Sequence, residues 1–300
     1  MAARFWSWKC FDGFWRRYGR AYGPLLLTGR DMQKYGGWLI YQNHDDDGTL
    51  EIVDDAGVIS LHFGSYPKQS SMSLKEPDKL VLEYVRAMAS WQLFKPVLEE
   101  DVLLIGLGAG SIGKYLLRHF PACRLKAIEY RKSVVKIARS HFGLPLDPRL
   151  KIIIGDGGQY VCRAGDAQQE RYGLLIIDAF DHEGVAPSIC SENFFQAAQS
   201  LLANDGILVA NLWGGAGNQQ FQQLARWIGQ CFNWHILFLP VPDRSNIIVL
   251  AFNGQSPKYS LAELRARANA LEQRHQIEFP RFLKDLKKHN ASTFNQLVKS

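Results

Sequence analysis

From Asp101 onward the chain alternates short apolar runs with stretches of helical periodicity. Val102 to Ile105 is a continuous apolar run, as expected of a strand buried on both faces. Similar runs at 125–128, 151–154, 174–177 and 207–211 predict further strands. Helical spacing covers 111–120, 132–141, 191–203 and 217–232. Strand–helix alternation of this kind predicts an α/β fold, a Rossmann-like doubly wound and mostly parallel sheet covered on both faces. The end of the pattern differs. His235 to Leu239 and Ile247 to Phe252 flank a loop holding Pro240 and Pro242, with no helix between them. That predicts a terminal antiparallel strand pair.

Upstream, 37–75 reads as a small β unit. Trp38 to Tyr41, Thr49 to Val53 and Val58 to Phe63 are its strands, and Asp54-Asp55-Ala56-Gly57 is a turn. The acidic run Asp45-Asp46-Asp47 is read as a solvated turn rather than a metal site. A helix is expected over 77–95, with Leu80, Val81, Tyr84, Val85 and Met88 on one face. The predicted organisation is a basic aromatic arm (1–36), a small β domain (37–76), a nucleoside-binding domain (77–254) and a helical basic tail (255–300). The arm, with Trp6, Trp8, Trp15, Arg16 and Arg17, is expected to pack on the body or on a partner subunit. The tail is expected to be a solvated helix or a subunit contact.

Charge narrows the partners. The net charge is +6 over 300 residues. Residues 1–35 carry a net +5 and 281–300 a net +4, which leaves the body at about −3. A basic face suited to nucleic acid is therefore not expected. No apolar run reaches the roughly 18 residues of a membrane span, and Pro24 to Leu27 is too short for a signal peptide. The five cysteines form no CxxC pair and are read as reduced, in a cytoplasmic protein. No His, Cys and carboxylate spacing suits a metal, so none is expected.

The chemistry concentrates at strand ends. After Ile105 come Gly106, Gly108, Gly110 and Gly113, and the next strand ends in Glu129. Glycines let a backbone approach a ligand closely, and an acid at that strand end can accept both ribose hydroxyls. Taken alone, GxGxxG with Glu129 would also suit a dinucleotide. Two further acids change the balance: Asp156, in Gly155-Asp156-Gly157, and Asp178 follow the third and fourth strands. Three acids in one mouth would repel a pyrophosphate. They suit a sulfonium nucleoside, with Glu129 on the ribose, Asp156 on the adenine edge and Asp178 at the reacting end. The closing antiparallel strands agree, since they resemble those of the class I S-adenosylmethionine-dependent methyltransferase fold.

The text VLLIGLGAGSIG, the acid of AIEY, DPRLKIIIGDGGQYV and LLIIDAFDHEGVAP resembles the spermidine synthases (polyamine aminopropyltransferases), over roughly 50–252. The resemblance implies aminopropyl transfer from decarboxylated S-adenosylmethionine to a small-molecule amine, and a homodimer. It implies Asp178 as proton acceptor and Asp181 as a holder of the amine. Gln69 would touch the donor, and Gly106, Gly108, Gly110, Glu129, Asp156 and Gly157 would form the nucleoside seat. This chain departs from the family pattern at Ala109, where the family carries Asp, and at His182, where it carries Pro. The family's Tyr-His-Glu stretch is not recognisable in Lys79 to Tyr84. The alternative readings are a methyltransferase using S-adenosylmethionine on a small molecule or RNA, and a non-catalytic nucleoside-binding homologue.

Overall fold

The computed structural model describes residues 32–167, 171–180, 184–214, 218–242, 244–254 and 259–299. The arm expected at 1–36 lies almost wholly outside the described residues, as do Asp181 and His182.

The first sheet is antiparallel throughout and runs in chain order: β1 (Gln33–Lys34), β2 (Gly37–Asp45), β3 (Gly48–Asp55), β4 (Val58–His62) and β5 (Lys68–Ser73). β5 reads KQSSMS, which has no apolar alternation; it forms by pairing with β4 and buries Ser70, Ser71 and Met72. Helix α1 (Glu83–Met88) and a 3-10 turn (Ala89–Leu93) follow. The helix expected over 77–95 is therefore shorter and starts later.

The second sheet has seven strands. In chain order the elements are β6 (Val102–Ile105), α2 (Ser111–His119), β7 (Leu125–Glu129), α3 (Lys132–Ser140), β8 (Leu150–Ile154) and α4 (Gly157–Ala167). Then come β9 (Tyr172–Ile177), α5 (Glu192–Ser200), β10 (Leu202–Trp213), α6 (Gln219–Cys231), β11 (Ile236–Pro240) and β12 (Asn246–Phe252). The spatial order is β11-β12-β10-β9-β6-β7-β8. β12 slots between β10 and β11 and runs antiparallel to both, while β10, β9, β6, β7 and β8 are mutually parallel. The closing antiparallel pair is thus present, as expected. Helix α4 was absent from the periodicity reading.

Alternate residues on each strand enter opposite layers. Val102 and Leu104 join one core with Leu174 and Ile176, and Leu103 and Ile105 join the other with Leu175 and Ile177. The C-terminal segment belongs to the first core. It consists of β13 (Tyr259–Ser260), α7 (Leu261–His275), α8 (Phe279–His289), α9 (Ala291–Leu297) and β14 (Val298–Lys299). Phe279, Phe282, Leu286, Phe294 and Leu297 are buried against the body. At about 1.5–3 kcal/mol per buried large apolar side chain, these helices are a structural layer. The solvated-helix reading gives way to one in which only their outer faces are basic.

A third cluster joins the two sheets. Leu50, Ile52, Ile59, Leu61 and Met72 pack on Val134, Ile137 and Phe142, with Ala109 between them. Lys114 is buried beside this seam, and its Nζ donates to the carbonyl oxygens of Pro77 and Phe142, each at 2.7 Å.

Candidate active site

The strand order reverses beside β6, where β9 returns to its other flank. In doubly wound sheets the crevice at that reversal, outside the carboxyl ends of the strands, takes the ligand. A cavity of about 910 Å³ opens there. The big sheet contributes Gly106, Gly108, Glu129, Asp156, Gly157 and Asp178 to its wall. The small sheet closes the opposite side with Gln69, Phe63 and the β2–β3 hairpin tip, Asp46 to Thr49. The acidic run read as a solvated turn is a turn, and two of its acids also face this cavity.

The glycines divide their work. Gly106 adopts φ +87°, and a Cβ there would overlap the carbonyl of Asp178. This position brings the loop directly beneath the fourth strand's acid. Gly110 adopts φ +83° as the N-cap of α2, and a Cβ would sit 2.7 Å from Leu144 Cδ1. It packs away from the cavity wall. Ala109 is fully buried in the seam and is not on the wall either.

Glu129 holds the loop from below. Its Oε2 accepts from the Leu107 and Gly108 amides at 2.9 and 3.3 Å, and its Oε1 from the Arg131 amide at 2.9 Å. Burial raises its pKa, against the lowering effect of those backbone bonds. The Arg131 side chain turns the other way. It pairs with Asp45, donates to the Gly48 carbonyl at 3.0 Å and lies over the Phe63 ring. Ser133 also donates to Asp45. Burial opposes ionisation of Asp45, and the bonds from Ser133 and Arg131 outweigh it, so its pKa is lowered. This clamp fixes the hairpin tip over the acid of β7.

Asp156 uses Oδ1 to accept from the Gln159 amide at 2.9 Å, which caps α4. Its side chain thus starts a helix and lines the cavity at once. Asp178 lies one residue past β9. The Asn211 side chain on β10 donates to its Oδ1 at 2.9 Å. The Tyr84 hydroxyl from α1 faces it, able to give its proton to Asp178 or to the Gln69 carbonyl oxygen, 3.1 Å away. Burial raises the Asp178 pKa to about 6, against the lowering bonds from Asn211 and Tyr84. Burial and the Asp178 charge push the Tyr84 pKa well above its ordinary value. A carboxylate tuned in this way can accept a proton near neutral pH.

Tyr84, Arg131 and Asn211 were not singled out for the site from sequence. Asn211 had a usable signal, as a polar residue interrupting the apolar run from Ile207 to Leu212. Tyr84 was assigned to a core face. Its ring does pack on the first core, and its hydroxyl, in the stretch where the family's Tyr-His-Glu is unrecognisable, reaches Asp178. Among the described residues no group of His, Cys, Asp and Glu is arranged to hold a metal. No helix among them is long and apolar enough to cross a membrane.

Fold and site together define an α/β protein of the methyltransferase type with a nucleoside-sized acidic cavity. The spermine/spermidine synthase domain model matches residues 82–243. A polyamine aminopropyltransferase of Neisseria meningitidis is 32% identical over 242 residues, which is 80% of this chain and 90% of that one. The chain belongs to the spermine/spermidine synthase family. Among solved structures, a probable spermidine synthase from Corynebacterium glutamicum has a TM-score of 0.65 at 19% identity, covering 77% of this chain and 86% of that one. A spermidine synthase in complex with the transition state analogue AdoDATO has a TM-score of 0.56 at 18% identity, covering 85% and 83%.

Proposed function

We propose that the protein transfers an aminopropyl group from decarboxylated S-adenosylmethionine to a polyamine amine. The observation that carries this is Asp178: a carboxylate with its pKa at about 6, half-buried on the cavity wall and held by Asn211 and Tyr84. The family match and the near-complete overlap with a polyamine aminopropyltransferase support the same reaction. The methyl-transfer alternative has no comparable support across the whole chain.

In this reading Glu129 accepts the ribose hydroxyls, Asp156 the adenine amino group, and Gly106, Gly108 and Gly157 form the floor beneath the nucleoside. Gln69 lines the donor's side of the cavity. Asp181, outside the described residues, is assigned to the amine acceptor. The nucleoside brings a sulfonium, which is already a good leaving group. The protein's share is alignment and proton removal. The amine nitrogen bonds to the carbon beside sulfur. The carbon–sulfur bond breaks, its electron pair stays on sulfur as a neutral thioether, and the proton from nitrogen passes to Asp178.

The test is Asp178→Asn, assayed for turnover and, by calorimetry, for nucleoside binding. Loss of turnover with binding retained is expected. Retained turnover removes Asp178 as proton acceptor. Side-by-side titration with S-adenosylmethionine and its decarboxylated form tests the donor, and tighter binding of the carboxylated form overturns the aminopropyl assignment.

A further inference from the structure

Asn211 is an amide buried in a strand that is otherwise apolar from Ile207 to Leu212. The strand register explains its place. β10 pairs with β9 up to Ala210 opposite Ile177, so Asn211 sits level with Asp178. On its other side β12 places Ile248 opposite Asn211, and Asn246 is the diagonal neighbour on the same face. The Asn246 amide donates to Asn211 Oδ1 at 2.9 Å, and Asn211 Nδ2 donates to Asp178 Oδ1 at 2.9 Å. The three side chains form one directed line across three strands.

Direction is the point. An amide has one accepting and one donating end, and an ionised carboxylate only accepts. Because Asn246 donates to the oxygen of Asn211, the nitrogen of Asn211 is held toward Asp178. We propose that Asn246 and Asn211 form a positioning relay that keeps Asp178 ionised and aimed into the cavity, and that Asn246 acts on the reaction solely by orienting Asn211. Asn246 does not line the cavity. The inference rests on the reading of Asp178 as proton acceptor.

The other ionisable groups on the cavity wall are the Tyr84 hydroxyl from α1, Glu129, Tyr130, Arg131 and Asp156 at or after neighbouring strand ends, and Asp46 and Asp47 on the hairpin tip. Asn211 has the larger effect of the two side-chain donors that hold the ionised form. Tyr84 also favours the ionised form but divides its proton between Asp178 and the Gln69 carbonyl, and Arg131 is paired with Asp45. Bonds to the charged form lower a carboxylate's pKa, and reversing the amide would remove that effect.

The experiment titrates full-length protein carrying ¹³C in its aspartate carboxyl groups, with the Asp178 signal assigned from Asp178→Asn. Asn246→Asp, an isosteric change at a half-buried position, replaces the donor with an acceptor and turns Asn211 around. The Asp178 titration should move up by about one unit, a tenfold change in its protonation equilibrium. A new charge at position 246 would also act through space, so the same change is made in an Asn211→Leu background. The relay requires the shift from Asn246→Asp to vanish there, as coupled residues do in a double-mutant cycle. A shift of equal size in both backgrounds, or none in either, overturns the relay. Asn246→Ala supplies a second variant without charge, expected to shift Asp178 upward by less; no shift in it also counts against the relay. Methylthioadenosine binding shows that each variant is folded. Active Asp178→Asn alongside the expected titrations would sink the proton-acceptor reading, and with it the relay's part in the reaction, while leaving its hold on Asp178 ionisation demonstrated.

Discussion

Replacing Glu129 with Gln tests the nucleoside seat with the least change of shape. The native carboxylate accepts from Leu107 and Gly108 on one oxygen and from Arg131 on the other. A glutamine has one accepting oxygen and one amino group, so whichever way it turns, the amino group meets a backbone N–H. Turned to keep the Leu107 and Gly108 pair, it leaves the Arg131 amide unsatisfied, and a buried unpaired donor costs about 1–3 kcal/mol. The nucleoside loses more specifically. One ribose hydroxyl no longer meets a carboxylate oxygen, a charge-assisted bond worth about 1.5–3 kcal/mol. That corresponds to roughly 10- to 150-fold in Kd. The assay is calorimetric titration of native protein and Glu129→Gln with methylthioadenosine and with its 2′,3′-dideoxy analogue. The riboside should lose at least about tenfold, and the dideoxy compound little. Equal losses would assign the effect to the loop instead of the ribose, and no loss for either would refute the reasoning outright.

Three further outcomes are expected. The rate kcat/KM should fall as pH drops through about 6, because Asp178 takes up a proton there and a protonated acid cannot accept another; a pH–rate profile flat through that range contradicts this. Gly106→Ala puts a Cβ 2.8 Å from the Asp178 carbonyl carbon at φ +87°, and should lower stability by about 3 kcal/mol through left-handed strain and overlap together, checked by urea melts. His275 has its pKa lowered to about 4 by burial, then by His119 and Arg274. The unfolded chain therefore binds more protons between its ordinary 6.5 and about 4, so stability is lost as pH falls through that window. Allowing for partial solvent access the loss is about 1–2 kcal/mol, and His275→Phe should flatten that slope in thermal melts.

The parallel sheet was legible because strands buried on both faces carry continuous apolar runs, and each such run from Val102 to Leu212 became a strand. Helix α4 was hidden by Gly157, Gly158 and Gly165, which are poor helix formers. They stand where α4 packs too closely for a side chain: a Cβ on Gly158 would lie 2.6 Å from the Ser188 carbonyl carbon, and one on Gly165 2.8 Å from Ala197 Cβ. β5 was hidden because its inward residues include serines. The acids at strand ends were legible from position alone, and Glu129, Asp156 and Asp178 all reach one cavity. Their supports were not. Arg131, Tyr84 and Asn211 arrive from a turn, an upstream helix and a distant strand, and only tertiary register brings them together.

Ala109 bears on what the seam between the sheets will tolerate. Its methyl group is enclosed by Leu50, Ile52, Met72 and Phe142 where the two sheets meet. An aspartate at that position would bring a carboxylate into this hydrocarbon seam beside Lys114, whose Nζ is already held by the Pro77 and Phe142 carbonyl oxygens, so its cost turns on whether that lysine can swing to meet it. A change at position 109 is therefore felt where the two sheets meet rather than on the cavity wall. Melting Ala109→Asp with Lys114 present and with Lys114→Met would reveal whether that lysine can answer an acid in the seam.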